Sequence, residues 1–126
     1  AYGTRRRETA MRDLADLRRN PRAPQYGRVG AVEVRFGKAS RGSPPKRRTV
    51  LTVPEIEWIV PLIEEWVAEV RPGFSPGRHP ALWVTERCGR IGVRRLDEVF
   101  ATVRKRAGLP GELDLHCLRH TYITHL

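Results

Sequence analysis

Near one end of the chain, His116 and Arg119 stand three residues apart in the run His116-Cys117-Leu118-Arg119-His120. On a helix that spacing puts both side chains on one face. An imidazole and a guanidinium held side by side form a two-pronged grip for a pair of phosphate oxygens. The same spacing also fits a solvated basic face on a helix. Toward the other end, Arg5 and Glu8 are again three apart, close enough for the carboxylate to hold the guanidinium, as in many surface helical ion pairs. Between them, Gly37-Lys38 opens a polar stretch that runs through Arg41 to Lys46-Arg47-Arg48. That stretch reads either as a cationic contact surface or as an ordinary solvated turn.

The composition points the same way. Lys and Arg number 24 against 14 Asp and Glu, for a net charge of +10, and only Lys38, Lys46 and Lys105 are lysines. The planar arginine fork suits phosphate, so a nucleic-acid partner is the natural reading, although arginine-rich codon usage at solvated positions gives the same count. At 40% hydrophobic and 30% charged, the 126 residues suit one globular domain with its own core. No apolar run approaches the roughly 20 residues of a membrane span, and no secretory signal opens the sequence, so neither a membrane nor secretion is expected. Cys88 and Cys117 are far apart and lack metal-ligand spacing. Cys117 reads as a small buried thiol, no metal or cofactor is expected, and a reducing cytoplasmic setting follows.

Elements that could carry these side chains can be read from periodicity. Residues 4–17 read as a helix with Met11, Leu14 and Leu17 as its apolar stripe, broken by Asn20-Pro21. Residues 29–36 alternate as a half-buried strand, with Val32, Val34 and Phe36 on one face and Glu33 and Arg35 on the other. Residues 46–53 form a second strand, completing a hairpin. Thr52 is the expected N-cap of the next helix, with Pro54 in its first turn. Apolar residues then keep helical spacing from Ile56 to Val70, with Pro61 expected to kink that run or divide it in two. A short apolar piece follows at 81–84, then a helix with Val93, Leu96, Val99, Phe100 and Val103 on one side, ended by Gly108 and Pro110. The last segment, 115–126, puts Leu115, Leu118, Tyr122 and Leu126 behind His116 and Arg119. The order predicts a mostly helical α+β domain with a small antiparallel hairpin.

The run His116-Cys117-Leu118-Arg119-His120-Thr121-Tyr122-Ile123-Thr124-His125-Leu126 closely resembles the H-x-L-R-H-[ST]-[FY]-x-T-x-L signature of the tyrosine recombinases, the phage-integrase type. Cys117 stands where that family often has an acidic or small residue. Gly3-Thr4-Arg5-Arg6-Arg7-Glu8, continuing to Asp16, resembles the family's G-x-R-x-x-E segment, and Gly37-Lys38 resembles its glycine-lysine turn. The three blocks fall in the family's order and span nearly the whole chain, and the sequence further resembles integrases of actinobacterial mobile elements. The resemblance implies a DNA breaking-rejoining catalytic core and metal-independent strand cleavage. In that chemistry a tyrosine oxygen attacks the phosphorus, a 3′-phosphotyrosyl bond forms, and the bond to the 5′ oxygen breaks.

By the same resemblance Arg5, His116 and Arg119 surround the non-bridging oxygens, Glu8 braces Arg5, and Lys38 protonates the leaving 5′ oxygen, with Lys46 as its competitor. Arg41, Lys46, Arg47 and Arg48 are further expected DNA contacts. The implied partner is double-stranded DNA, bound by the parent protein as a synaptic tetramer, with no small-molecule substrate. None of Tyr2, Tyr26 and Tyr122 falls on the nucleophile's position, so residues 1–126 are read as part of a catalytic domain cut at both ends. Such a stretch lacks the N-terminal core-binding domain and the nucleophile segment, and is expected to be inactive alone. Two other classes stay open. A non-catalytic basic DNA-binding module, such as a decayed recombinase, would bind with salt-dependent affinity that depends little on His116. An RNA-binding protein would need an aromatic stacking platform that the scattered phenylalanines do not supply.

Overall fold

The computed structural model describes residues 2–37 and 41–125. A three-stranded antiparallel sheet in the order β1-β2-β3 lies at its centre, formed by β1 (Leu17–Arg18), β2 (Ala31–Val34) and β3 (Arg48–Leu51). Around it run α1 (Arg6–Ala10), α2 (Ile59–Glu65), α3 (Val93–Arg106) and α4 (Leu115–His125), with short 3-10 turns between them. The expected hairpin is present: β2 and β3 pair Val32 with Val50 and Val34 with Arg48. Beyond the strands the Gly37 N–H donates to the Lys46 carbonyl at 3.1 Å. A Cβ at Gly37 would run into that same carbonyl, which is the physical reason for glycine there.

Alternation in β2 buries Val32 and Val34 completely or nearly so and leaves Glu33 half-exposed, where Arg18 on β1 pairs with it at 2.9 Å. The core gathers Tyr2, Leu17, Val29, Val32, Ile56, Ile63 and Leu82, so the apolar piece at 81–84 is interior rather than connecting loop. The Trp66 indole N–H and the Arg71 guanidinium tie it down through the Leu82 and Ala81 carbonyls.

Several expectations are corrected. The helix expected over 4–17 is only five residues long, because tertiary bonds take over where periodicity would continue it. The Asp13 backbone is extended, its N–H donates to the Asp16 carboxylate at 2.7 Å, and it bridges to Ala81. The Leu14 N–H donates to Pro80 and the Leu82 N–H to Arg12. Leu17 and Arg18 then add a third strand that the sequence did not announce. Thr52 is not a cap. Its buried hydroxyl donates to the Val29 carbonyl at 2.5 Å and meets the Tyr2 hydroxyl at 2.8 Å, while Val53 precedes the 3-10 turn at Pro54–Ile56.

Pro61 divides its run as expected. It occupies the first turn of α2, where its missing N–H costs no helical bond, and the continuation over Trp66–Val70 is wound as a π-helix. α3 ends with a Schellman pair of bonds, Gly108 N–H to Lys105 and Leu109 N–H to Arg104. Its apolar stripe is not buried: Val99 and Val103 are exposed, as are Leu118 and Ile123 on α4. Cys117 is half-buried rather than interior, for the same reason. Among the described residues, no helix is long and apolar enough to cross a membrane.

Candidate functional site

α1 is short, and its first turn is organised by one carboxylate. Glu8 accepts from the Arg5 backbone N–H at 2.7 Å and from Arg5 Nη1 at 3.1 Å, the acidic half of a capping box, since arginine has no side-chain acceptor to complete it. It also accepts both terminal nitrogens of Arg48, each at 3.0 Å, so the first residue of β3 is tied to α1. The Glu8 side chain is only 1% exposed. Burial alone would raise its pKa, but the bonds from Arg48 and Arg5 and the charge of Arg48 outweigh that and bring it down to about 2. Glu8 is therefore an anion between two cations at neutral pH.

A second carboxylate pair fixes the end of the α1 segment. Asp16 takes Arg35 at 2.7 and 3.0 Å, and Asp13 takes Arg35 at 2.9 Å and also Arg90. Arg90 reaches the Ala10 and Arg12 carbonyls as well, at 3.2 Å each. Asp16, which the family resemblance singles out, is thus a buried structural anchor.

α4 arrives from the opposite end of the sequence. Asp114 caps it, accepting the Cys117 N–H at 2.9 Å; that bond lowers the carboxyl's pKa. Arg119 Nη1 donates to the Gly3 carbonyl at 3.1 Å. The result is an open cavity of about 480 Å³ lined by Arg5, Arg6 and Arg7, by Val93 and Asp97 of α3, and by Asp114, Leu115, His116 and Arg119. Arg6 is occupied by Asp97 at 2.7 Å. The structure therefore brings Arg5, His116 and Arg119 together. The Arg119 pKa is lowered by burial, then by the nearness of Arg5 and Arg48, partly offset by Glu8. A place where neighbouring charge disfavours a guanidinium is one that gains from an anion.

Of the other expected site residues, Lys38 lies outside the described residues, and Arg41, Lys46 and Arg47 are exposed on the hairpin arm. Arg48, expected as a DNA contact, has both terminal nitrogens on Glu8. Sequence reasoning missed that brace, and it missed the Gly3 carbonyl and the Asp114 cap. Only Asp114, a capping residue directly before a helix, carried a readable signal. A further hollow of about 550 Å³ at the start of α3 is edged by Arg87, Arg94 and Arg95, with Glu98 shared between the last two. Among the described residues no group of three or more His, Cys, Asp or Glu side chains comes together as a metal site would require.

Fold and cavity define a small-sheet α+β unit with an open, arginine-rich cavity between its first and last helices. No family model matches the chain. Individual proteins do. It is 33% identical over 64 residues to a protein described as tyrosine recombinase XerD from Corynebacterium glutamicum, covering 51% of this chain and 21% of the relative. It is 36% identical over 74 residues to tyrosine recombinase XerC from Nitrobacter winogradskyi, covering 59% and 22%. The matched stretch is thus about a fifth of the relatives' length. A crystal structure of XerA recombinase superposes with a TM-score of 0.72 over 98% of this chain and 38% of that one, at 23% identity, which establishes the fold. These stretches of the chain are thus similar to tyrosine recombinases, and the structural likeness gives the fold.

Proposed function

We propose that this chain is the phosphate-gripping part of a site-specific DNA recombinase, acting on a phosphodiester of double-stranded DNA. The observation that carries the reading is the convergence of Arg5, His116 and Arg119, from opposite ends of the sequence, on one cavity. Three fixed donors around a phosphate stabilise the charge that builds on its non-bridging oxygens as phosphorus is attacked, each worth a few kcal/mol in a site of this kind. Arg5 is pre-set by Glu8 and Arg119 by a backbone carbonyl, so little reorganisation is needed when DNA binds.

In this reading Lys38 delivers the proton to the leaving 5′ oxygen, and the attacking tyrosine comes from outside residues 2–125. The tyrosines within them support that. Tyr2 and Tyr26 are buried with their hydroxyls bonded to Thr52 and Glu57, and Tyr122 packs against the core. The exposed arginines of the hairpin arm and of the α3 hollow supply backbone contacts that orient the duplex without reading its sequence.

In the complete protein, Arg119→Ala and Lys38→Ala should each lower cleavage of a nicked suicide duplex by two to three orders of magnitude, roughly what one such donor is worth. Duplex affinity should change much less. Equal loss of binding and cleavage would instead make both residues ordinary phosphate contacts. The 126-residue chain alone should give a salt-dependent duplex shift and no covalent adduct; an adduct would sink the assignment of the nucleophile.

A further inference from the structure

We infer that Gly3 is the positioning residue that sets Arg119 over the cavity, an inference that rests on reading the cavity as a phosphate site. Gly3 has a left-handed backbone, φ +63°, which side-chain-bearing residues rarely adopt. Steric demand adds to this. A Cβ built on Gly3 would run into the Tyr122 ring, overlapping Cδ1, with Cε1 and Cγ at 2.7 Å. The ring sits in the notch that the missing side chain leaves. Tyr122 is one helical turn beyond Arg119 and also packs against the buried cluster. The Gly3 carbonyl meanwhile accepts from Arg119 Nη1 at 3.1 Å.

One residue therefore fixes α4 by two contacts of different kinds, ring in notch and guanidinium on carbonyl. Arg5 follows Gly3 by only two residues, so the same contacts set the separation of Arg5 and Arg119. Among the described residues Arg119 bonds Gly3 through Nη1 alone, so its further N–H donors can meet an anion. Neither Arg5 nor Arg119 explains by itself why glycine is needed two positions before the first arginine. The Tyr122 notch does.

The test uses the uniformly ¹⁵N-labelled 126-residue chain, with the Arg119 guanidinium signals assigned by their loss in Arg119→Lys. Without any added anion, the unsubstituted chain should show separate, slowly rotating Arg119 Nη signals. Gly3→Ala should average them and weaken inorganic phosphate binding about tenfold, on the order of one hydrogen bond to a charged group. Gly3→Asn should fail alike, because asparagine tolerates the positive φ but still carries a Cβ. Adding Tyr122→Leu to Gly3→Asn, which empties the notch, should restore the separate signals. Averaged signals in the unsubstituted, anion-free chain would overturn the proposal whatever the variants do, and so would unchanged signals in Gly3→Ala. Separate signals that no phosphate concentration perturbs would defeat the phosphate reading instead, leaving the contact itself standing.

Discussion

Arginines in this molecule are held in two ways, divided by region. Around α1 and the hairpin each ends on a carboxylate: Arg5 and Arg48 on Glu8, Arg35 on Asp13 and Asp16, Arg90 on Asp13, the last two adding bonds to the Met11, Ala10 and Arg12 carbonyls. In the 71–82 segment and on α4 they end on backbone carbonyls: Arg71 on His79 and Ala81, Arg119 on Gly3. A carboxylate anchor is strong because it adds charge to the hydrogen bond, but it can be protonated away. A carbonyl anchor is weaker, uncharged and indifferent to pH. The cavity draws one principal arginine from each region, so the two halves of the proposed grip should fail under different conditions.

Breaking the carboxylate side should have the largest effect. Glu8→Gln removes the anion between two guanidiniums and should destabilise the chain by about 3 kcal/mol, the low end for a broken buried pair. The low end applies because Arg5 and Arg48 are 44% and 38% exposed and can turn to water. Protonation should do the same reversibly. The folded pKa, about 2, lies below the unfolded value near 4.5, so the Glu8 contribution is complete above that value and lost as the pH falls toward 2. Its upper bound is about 3 kcal/mol, discounted for the partners' exposure. Urea titrations at successive pH values would show this as a falling midpoint in the original chain and a flatter profile in Glu8→Gln. Parallel profiles would mean that other carboxylates carry the acid sensitivity.

Arg12 sharpens the comparison, since it belongs to the carboxylate region but has no hydrogen-bonded anchor of either kind among the described residues. It is 6% exposed, about as buried as Arg71 at 7%, yet its Nε and Nη2 have no hydrogen-bond partner among the described residues. Burial pulls its pKa down to about 10 against the favourable charges of Asp16 and Glu8. Its other favourable contact is the Tyr2 ring, with the guanidinium carbon 6.0 Å from the centroid. Arg12→Leu should therefore stabilise the chain, by about 1–2 kcal/mol after the lost cation–π contact is counted. Arg71→Leu should destabilise it, because the buried Ala81 carbonyl and the partly buried His79 carbonyl lose their donor. Thermal unfolding of the two variants gives the comparison directly; a lower midpoint for Arg12→Leu would mean that Arg12 has acceptors the described residues do not include.

The same division explains what could be read from the sequence. The hairpin, the interruption at Pro61 and the stop at Gly108 were legible because each depends on local pattern or on one residue's backbone chemistry. His116 and Arg119 were legible as a pair because helical spacing puts them on one face. The early helix was misread because the bonds that end it come from residues 80, 82 and 90, which no local window contains. Arg48 was legible as a cation but not as a brace, since strand pairing rather than spacing brings it to Glu8. Thr52 looked like a cap because threonine is a favoured capping residue and Pro54 follows two positions later; here the core needed a hydroxyl between Val29 and Tyr2. The exposed stripes of α3 and α4 show the converse, a periodicity that was read correctly and is not buried within the described residues.

The smallest expected effect tests the carbonyl side at its edge. α4 carries His116 and Arg119 but has one carboxylate of its own, Asp114, at the cap. Asp114→Ala should leave the Gly3–Arg119 contact in place and loosen only the first helical turn, because α4 is fixed farther along by Tyr122. Amide exchange at His116 and Cys117 should quicken while Tyr122 and Ile123 stay protected, and Asp114→Asn, which can still accept the bond, should restore the slower rates. His116, in that first turn, should lose order while Arg119 keeps it. Exchange that quickened along all of α4 would mean that the helix is held by its cap rather than by the notch at Gly3, and that the two anchoring regions are not independent.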